Sequence, residues 1–499
     1  MDGIGQTDQE SSSFRNILKS TSLIGGSSVL NILIGMISTK FAALWLGPSG
    51  VGLLATFGRV TALVATLTGM GIDSSGVRQV AEAVGSKDDE RIVRTVITLR
   101  RAAWMTGGIG LLVMAIFCVP ISWLTFNTEK YAWPIAVLGI TVFAGAIMGG
   151  QCCILTGTRR IRDLAKVSVI GSFFGVLFSI PCFYLWGQTG IVPSLVLTAF
   201  ASLVVSWWFV RKVPIGGISL TWRESYDEAR QLLSLGVSFM GAGLVLALSN
   251  YFIYMIMLRR FGLVDVGIYQ AAFSLSGVLV GFVLGAMGTD YYPRMTAVAN
   301  DNASVYRMVN EQTQISILLS LPVLAAMMIF APLVIKLFYT TSFGTAVPVM
   351  RWCILGVLGR VFSWPMAYVL LAKGKGKVFL ITEIFVNSLH LAGVYFFTQI
   401  WGLEGAGIAF LGMYVIYTLL MLFVTCRLVL ATWDKYSQKI ILFASITLMA
   451  LFLNSTFNKN IISEWAIDGI LLPLVTCLCL RELSRKSKFS LKTLINKTH

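Results

Sequence analysis

Arg360 stands in the middle of an apolar stretch, about 20 Å along a span counted from residue 347 at about 1.5 Å per helical residue. A cation at mid-membrane depth costs about 2.5–3.5 kcal/mol on insertion scales, so such a group faces water, a partner or an anionic ligand. Lys40 and Arg59 lie closer to the outer ends of their own apolar spans. They form a cationic set with Arg360, or they lift their head groups to the interface. Arg259, Arg260, Lys336 and Arg351 mark the outer ends of spans, where a cationic vestibule and simple pairing are both open readings. Asn250, two turns before Arg259, joins Arg360, Lys40, Arg59 and Arg259 as a candidate lining residue.

Carboxylates supply the complementary chemistry. Glu383, Asn387 and His390 follow an i, i+4, i+7 spacing, which places all three on one helical face. Such a stripe can relay protons or hold a cation, with His390 titrating near neutrality if water reaches it; a satisfied interhelical hydrogen-bond network is the plainer alternative. Asp73 and Asp290 end two spans in matching contexts, Met70-Gly-Ile-Asp73 and Met287-Gly-Thr-Asp290, each soon followed by an arginine, Arg78 or Arg294. Gate salt bridges with those arginines, or plain solvation, are expected. Glu383, Asp73, Asp290 and His390 are the candidates for ion coupling or gating.

Several chemistries are excluded. Lys373-Gly-Lys-Gly-Lys377 has the wrong order for a phosphate-binding loop, so the chain is not expected to hydrolyse ATP. Asp88-Asp-Glu90 reads as solvated surface rather than a metal site. The eight cysteines all fall in or beside apolar stretches, and His390 and His499 are the only histidines, so neither a disulfide framework nor a zinc site follows. No cofactor is expected.

The elements that must position these groups are membrane spans. A bilayer core of about 30 Å needs about 20 apolar helical residues. Fourteen such stretches are expected near 20–46, 50–72, 102–125, 131–155, 167–187, 190–210, 232–258, 266–291, 313–338, 347–372, 378–400, 403–426, 440–457 and 465–481. With 56% hydrophobic residues, 12% charged and a mean hydropathy of +0.79, the fold class is all-α and polytopic. Most of the 39 basic residues fall in every second connection and in the tail, which predicts cytoplasmic N- and C-termini. The net charge of +16 is thereby topological, and nucleic-acid binding is not needed to explain it. Asp2, Asp8 and Glu10 precede the first span, and no cleavable signal peptide is expected.

The chain also repeats itself. Gly47-Pro-Ser-Gly-Val-Gly52 and Gly262-Leu-Val-Asp-Val-Gly267 stand about 215 residues apart, as do Asp73 and Asp290. Gly402-Leu-Glu-Gly-Ala-Gly407 has the same spacing, and tight helix-hairpin turns account for its glycines better than a nucleotide site does. Two pseudo-symmetric six-helix lobes follow, residues 1–212 and 213–430, with two C-terminal helices within 431–482 and a basic cytoplasmic tail, 483–499. Six spans per copy make a parallel repeat, related by an axis along the membrane normal. Gly277, Gly281 and Gly285 recur every fourth residue and predict close helix packing. Pro181, Pro193, Pro322, Pro332 and Pro365 predict kinks.

These features resemble the Wzx-type flippases of lipid-linked oligosaccharides. That family belongs to the multidrug/oligosaccharidyl-lipid/polysaccharide (MOP) exporter superfamily, which also holds the multidrug and toxic-compound extrusion (MATE) transporters and the lipid II flippases. The resemblance rests on Leu46-Gly-Pro-Ser-Gly-Val-Gly-Leu53, Gly69-Met-Gly71, Val266-Gly-Ile-Tyr-Gln270, Tyr368-Val-Leu-Leu-Ala-Lys373, Phe379 and Glu383. It implies a MATE-like fold and movement of an undecaprenyl-diphosphate-linked oligosaccharide, such as an O-antigen unit, to the outer leaflet of a bacterial inner membrane by alternating access. It implies further a cationic central cavity, with Arg360, Lys40 and Arg59 attracting the diphosphate or acidic sugars, and proximity to a polymerase and a chain-length regulator. Proton or sodium coupling is the expected energy source. A drug/cation antiporter on the same fold is the alternative; a membrane polymerase or ligase would want a long external loop that this chain lacks.

Overall fold

In a computed structural model the described residues are 4–213, 220–429, 433–457 and 469–485, with side chains described from residue 25 onward apart from most of those in 222–239 and that of residue 289. The tail beyond Arg485 and the acidic N-terminal side chains lie outside them. The backbone is helical almost throughout, without a strand among the described residues. Helices run α1 Ile4–Gly69, α2 Ile72–Ser86, α3 Asp89–Ile116, α4 Cys118–Phe126, α5 Ala132–Gly157, α6 Ile161–Trp186, α7 Ile191–Val210 and α8 Trp222–Ala297. They continue with α9 Asn302–Ile329, α10 Ala331–Phe338, α11 Ala346–Ala372, α12 Gly376–Trp401, α13 Glu404–Val429 and α14 Lys435–Phe457, then a helical stretch over 469–485.

Ten described helical segments are long and apolar enough to cross a membrane. Three of them, Gly25–Gly69, Ile161–Val210 and Met240–Ala297, are 45, 50 and 58 residues long, too long for one crossing of about 20 residues. Each breaks where two spans were expected to meet, at Gly47, at residues 187–190 and at Gly262. Divided at these breaks the ten segments supply thirteen of the expected spans, and a further helical stretch over 469–485 lies where the last was expected. Broad outward apolar faces, including Leu112, Ile116, Trp133, Leu185 and Leu442, suit lipid-facing helices.

The breaks carry the repeat into the backbone. Gly47 (φ 64, ψ −173) and Gly262 (φ 84, ψ −178) adopt one left-handed conformation, open to glycine because it lacks a Cβ. Asp88 (φ −100, ψ 107) caps α3 as Asp301 (φ −99, ψ 99) caps α9, each side chain accepting from backbone N–H groups of the first turn. Phe117 (φ −96, ψ 15) ends α3 as Phe330 (φ −87, ψ 14) ends α9. The α5 to α6 turn closes through Arg160 N donating to Leu155 O at 2.8 Å, and the α11 to α12 turn through Lys375 N donating to Leu370 O at 2.8 Å. Gly187 and Gly402 then end α6 and α12 with φ 54 and 57. Members of these pairs stand 213 or 215 residues apart, so each half uses the same local devices at the same places.

The chain divides into two compact units, residues 1–267 and 268–499, whereas the repeat predicts a division at 212/213. In the first, α3 packs on α5, α6 on α7 and on α1, and α5 on α7. Val80, Val96, Leu99, Ile154 and Leu155 form a closed core there. Glycines permit the approach: a methyl at Gly150 would stand 2.9 Å from Ala103 Cβ, and one at Gly107 3.0 Å from Phe143 O. In the second unit α11 packs on α13 and α9, and α12 on α13. The Gly277, Gly281 and Gly285 series departs from expectation: nothing among the described residues lies within 4 Å of a Cβ built at any of them. Spacing alone marks a smooth face without supplying a neighbour to use it.

Candidate functional site

In the second unit, α11 and α13 meet through small residues. A methyl at Gly356 would crowd the Phe410 ring, and one at Gly359 would stand 2.9 Å from Tyr414 Cβ, while Thr418 Oγ1 donates to Gly359 O at 3.2 Å. That contact sets the rotation of α11 and so the direction of Arg360, the next residue. Its guanidinium is half-buried and has no hydrogen-bonding or ionic partner among the described residues. An unmatched guanidinium in a low-dielectric setting is a strong attractor for an anion, because charge-assisted hydrogen bonds replace the lost hydration.

Across α12 and α13 lies a second polar group. Tyr417 Oη donates to Glu383 Oε1 at 3.0 Å, and Asn387 Nδ2 donates to Glu383 Oε2 at 3.3 Å and to Glu383 O at 2.9 Å. Both carboxylate oxygens therefore have donors, which holds the group in place without neutralising it. His390 does not join: it is buried at 6% exposure against Phe410, with ring centroids 5.8 Å apart, and Nε2 has no partner among the described residues. The expected three-residue stripe is thus a Glu383–Asn387 pair extended by Tyr417, with His390 packed one turn beyond it.

The first unit places the remaining cations differently. Arg59 lies over the Tyr254 ring, 4.6 Å from its centroid, with Nη2 donating to Tyr254 Oη at 3.3 Å. Asn250 Nδ2 donates to Leu246 O of its own helix at 2.8 Å, and Lys40 is half-buried on α1. Arg259 Nη2 donates to Leu124 O at 2.5 Å and Trp123 O at 3.3 Å. Those carbonyls lie in the last turn of α4, where a cation complements the acceptor-rich C-terminal end of a helix. Two turns before it, Tyr251 Oη meets Thr125 Oγ1 at 2.8 Å. The 250–259 stretch thus ties α4 and α1 together, and Arg259 serves as a brace. Arg351 likewise leaves the expected outer vestibule: it is buried and donates to Ser455 O at 2.6 Å, tying α11 to α14.

Of the two aspartates, Asp290 pairs with Arg294 at 2.6 Å, both exposed. Asp73 does not pair with Arg78, whose Nε takes Glu82 at 2.8 Å one turn on. Asp73 instead lines a cavity of about 410 Å³ with Thr61, Thr66, Thr68, Thr106 and Thr141. Each of these threonines donates its hydroxyl proton to a carbonyl three or four residues back. Their oxygens are left as acceptors, so the cavity offers a carboxylate and hydroxyl lone pairs, the hard-oxygen environment that suits a small cation or a carried proton. No spacing within one helix announces this ring, since its members come from α1, α3 and α5. Among the described residues no cluster of His, Cys, Asp and Glu could hold a metal ion.

Known proteins match this chain at several levels. The pattern of the family described as "Polysaccharide biosynthesis protein" covers residues 43–348, more than half of the chain. The lipid III flippase of Escherichia coli K12 is 22% identical over 412 residues, covering 81% of this chain and 96% of that protein, and the lipid III flippase of Shigella flexneri matches equally. Among solved structures, the inward closed conformation of the lipid II flippase MurJ superposes with a TM-score of 0.69 at 14% identity, over 94% of this chain and 99% of that one. An inward-facing MATE-family multidrug transporter of the MOP superfamily gives 0.66 at 17% identity, over 82% and 98%. These structural likenesses establish the polytopic all-α fold of that superfamily.

Proposed function

Because the chain belongs to the polysaccharide biosynthesis protein family, we propose that it is a transporter that moves a lipid-linked oligosaccharide from the cytoplasmic to the periplasmic leaflet of a bacterial inner membrane. The carrier lipid in this reading is undecaprenyl diphosphate and the sugar an O-antigen repeat unit or a similar glycan. The observation that carries it is Arg360, a guanidinium deep in α11 with no partner among the described residues. A diphosphate crossing a low-dielectric region needs countercharge, and a guanidinium can meet two of its oxygens at once. The names of the relatives, lipid III flippase and lipid II flippase, support the same class of substrate. Lys40, Arg59, Arg259 and Asn250 are proposed to add cations and donors along the path, with Arg259 also bracing the end of α4.

Energy comes, in this proposal, from a proton or sodium gradient by alternating access. Glu383, held by Tyr417 and Asn387, and Asp73, in its threonine-lined cavity, are the proposed carriers. Asp290, ion-paired with Arg294, fits a gating role better. A polymerase and a chain-length regulator are the proposed neighbours, with both chain termini in the cytoplasm.

Deleting the gene tests this directly. Complete, unpolymerised undecaprenyl-linked oligosaccharide should accumulate on the inner face, inaccessible to a membrane-impermeant enzyme in spheroplasts and accessible in inverted vesicles. Normal outward display would overturn the proposal, and hypersensitivity of the same strain to cationic drugs would transfer it to an antiporter.

A further inference from the structure

A pocket separate from these groups opens between α3, α5 and α7, at the ends the charge pattern assigns to the cytoplasm. Its volume is about 600 Å³, and its lining includes Arg100, Trp104, Gln151, Val204, Trp207 and Arg211. Arg100 and Arg211 are exposed, and neither has an ionic partner or accepting atom for its guanidinium among the described residues. Arg211 is instead steadied by aromatic faces, 3.9 Å from the Trp208 centroid and 5.2 Å from that of Trp207. Gln151 is buried at 8% exposure; its Oε1 accepts from Ser206 Oγ, and its NH₂ has no partner among the described residues. Two guanidiniums and an amide thus line one pocket, with no carboxylate among its lining residues.

The walls are apolar. Trp104, Val204 and Trp207 turn exposed side chains outward, as residues of an interfacial aromatic belt do. An occupant must therefore match donors and cations at one end and hydrocarbon along the rest, while lying among the surrounding lipids. We propose that this pocket is a binding site for an anionic glycerophospholipid of the inner leaflet, its phosphate between Arg100 and Arg211 with Gln151 as third donor, its acyl chains along Trp104, Val204 and Trp207. The lipid bridges α3, α5 and α7, and it binds whatever the transported substrate is.

Native mass spectrometry of the purified full chain tests this after release from nanodiscs of equal phosphatidylglycerol and phosphatidylcholine. At roughly a factor of five per cation near an anionic surface, the wild type should retain phosphatidylglycerol about thirtyfold over phosphatidylcholine. Arg100→Gln with Arg211→Gln should bring retention near parity, Arg100→Lys with Arg211→Lys should keep most of the preference, and Arg162→Gln, outside the pocket, should change nothing. Equal thermal midpoints for the variants establish that they fold. Retained preference in the double glutamine variant overturns the site, as does its absence in the wild type. Displacement of the lipid by glycerol 3-phosphate would show that a soluble phosphate suffices, and displacement by undecaprenyl phosphate would make this a substrate site; either result overturns the assignment to a resident glycerophospholipid.

Discussion

Gly52 and Gly267, equivalent positions of the two repeats, meet backbone to backbone. A methyl at Gly52 would stand 2.9 Å from Gly267 N, and one at Gly267 3.0 Å from Gly52 N and 2.8 Å from the Pro48 carbonyl carbon. Both neighbours are main chain, so neither can swing aside. Overpacking of this kind costs about 1–3 kcal/mol. Gly52→Ala and Gly267→Ala should each lower the thermal midpoint of the detergent-solubilised protein, and the double variant should lose less than the sum, because the first substitution has already opened the contact. Additive losses would mean that the two positions act independently.

Arg360→Ala should reduce outward transport about 10- to 100-fold, the equivalent of one charge-assisted hydrogen bond of about 1.5–3 kcal/mol. Its thermal midpoint should stay close to that of the wild type, since no partner among the described residues is lost. Arg360→Lys should recover part of the activity, as a point charge replaces a fork of donors. The check is the ratio of inward- to outward-facing lipid-linked oligosaccharide at low expression; wild-type ratios with Arg360→Ala would remove Arg360 from the mechanism.

Glu383→Gln should make transport in proteoliposomes indifferent to an imposed proton or sodium gradient, with residual movement down the substrate's own gradient. Tyr417→Phe should keep the dependence but weaken it several-fold, since one of the donors holding the carboxylate is lost. A gradient dependence undiminished in Glu383→Gln would shift attention to Asp73 and its threonines.

Arg101 anchors the start of α8: it donates to Leu220 O at 2.9 Å, Thr221 O at 3.0 Å and Ser225 Oγ at 2.6 Å, while Thr98 Oγ1 donates to Glu228 Oε2 at 2.9 Å. Arg101→Ala should cost about 2–4 kcal/mol of local stability, judged from the loss of several hydrogen bonds to a charged group. Hydrogen exchange over residues 220–228 should accelerate accordingly, with little change in α5 or α7.

The same helix start carries a pH dependence. Thr221 and Glu224 form a capping box, Glu224 Oε2 accepting from Thr221 N at 2.9 Å and from its hydroxyl at 2.8 Å, and these bonds hold the Glu224 carboxyl below its ordinary value of 4.5. A depressed carboxyl contributes stability that is present above its unfolded value and lost as pH falls through the folded one. Proteolytic nicking at residues 220–225, read by an acid-active protease, should therefore rise as pH drops below about 4.5, and Glu224→Gln should abolish that rise. An identical pH profile in the variant would sink the assignment.

Pairs within one helix were legible before any fold was known. Asp290 with Arg294 and Glu383 with Asn387 follow from i, i+4 spacing, because four residues return the helix to the same face. The same rule failed for Asp73 and Arg78, five residues apart, where Glu82 stood in the better register. Tyr417 as the partner of Glu383, the carbonyl ends of α4 as the partner of Arg259 and Ser455 as the partner of Arg351 left no trace in local spacing.

The division has a physical cause. Sequence by itself determined the spans, their breaks and the repeat, because an apolar run either reaches across about 30 Å of hydrocarbon or does not, and because a left-handed turn at Gly47 or Gly262 is a property of the residue. Only the tertiary structure decided which polar groups face one another. Each residue turns a helix by about 100°, so the rotation set by a contact such as Gly359 on Tyr414 selects whether Arg360 meets a partner or a cavity, and no pattern along one helix encodes the rotation of the next.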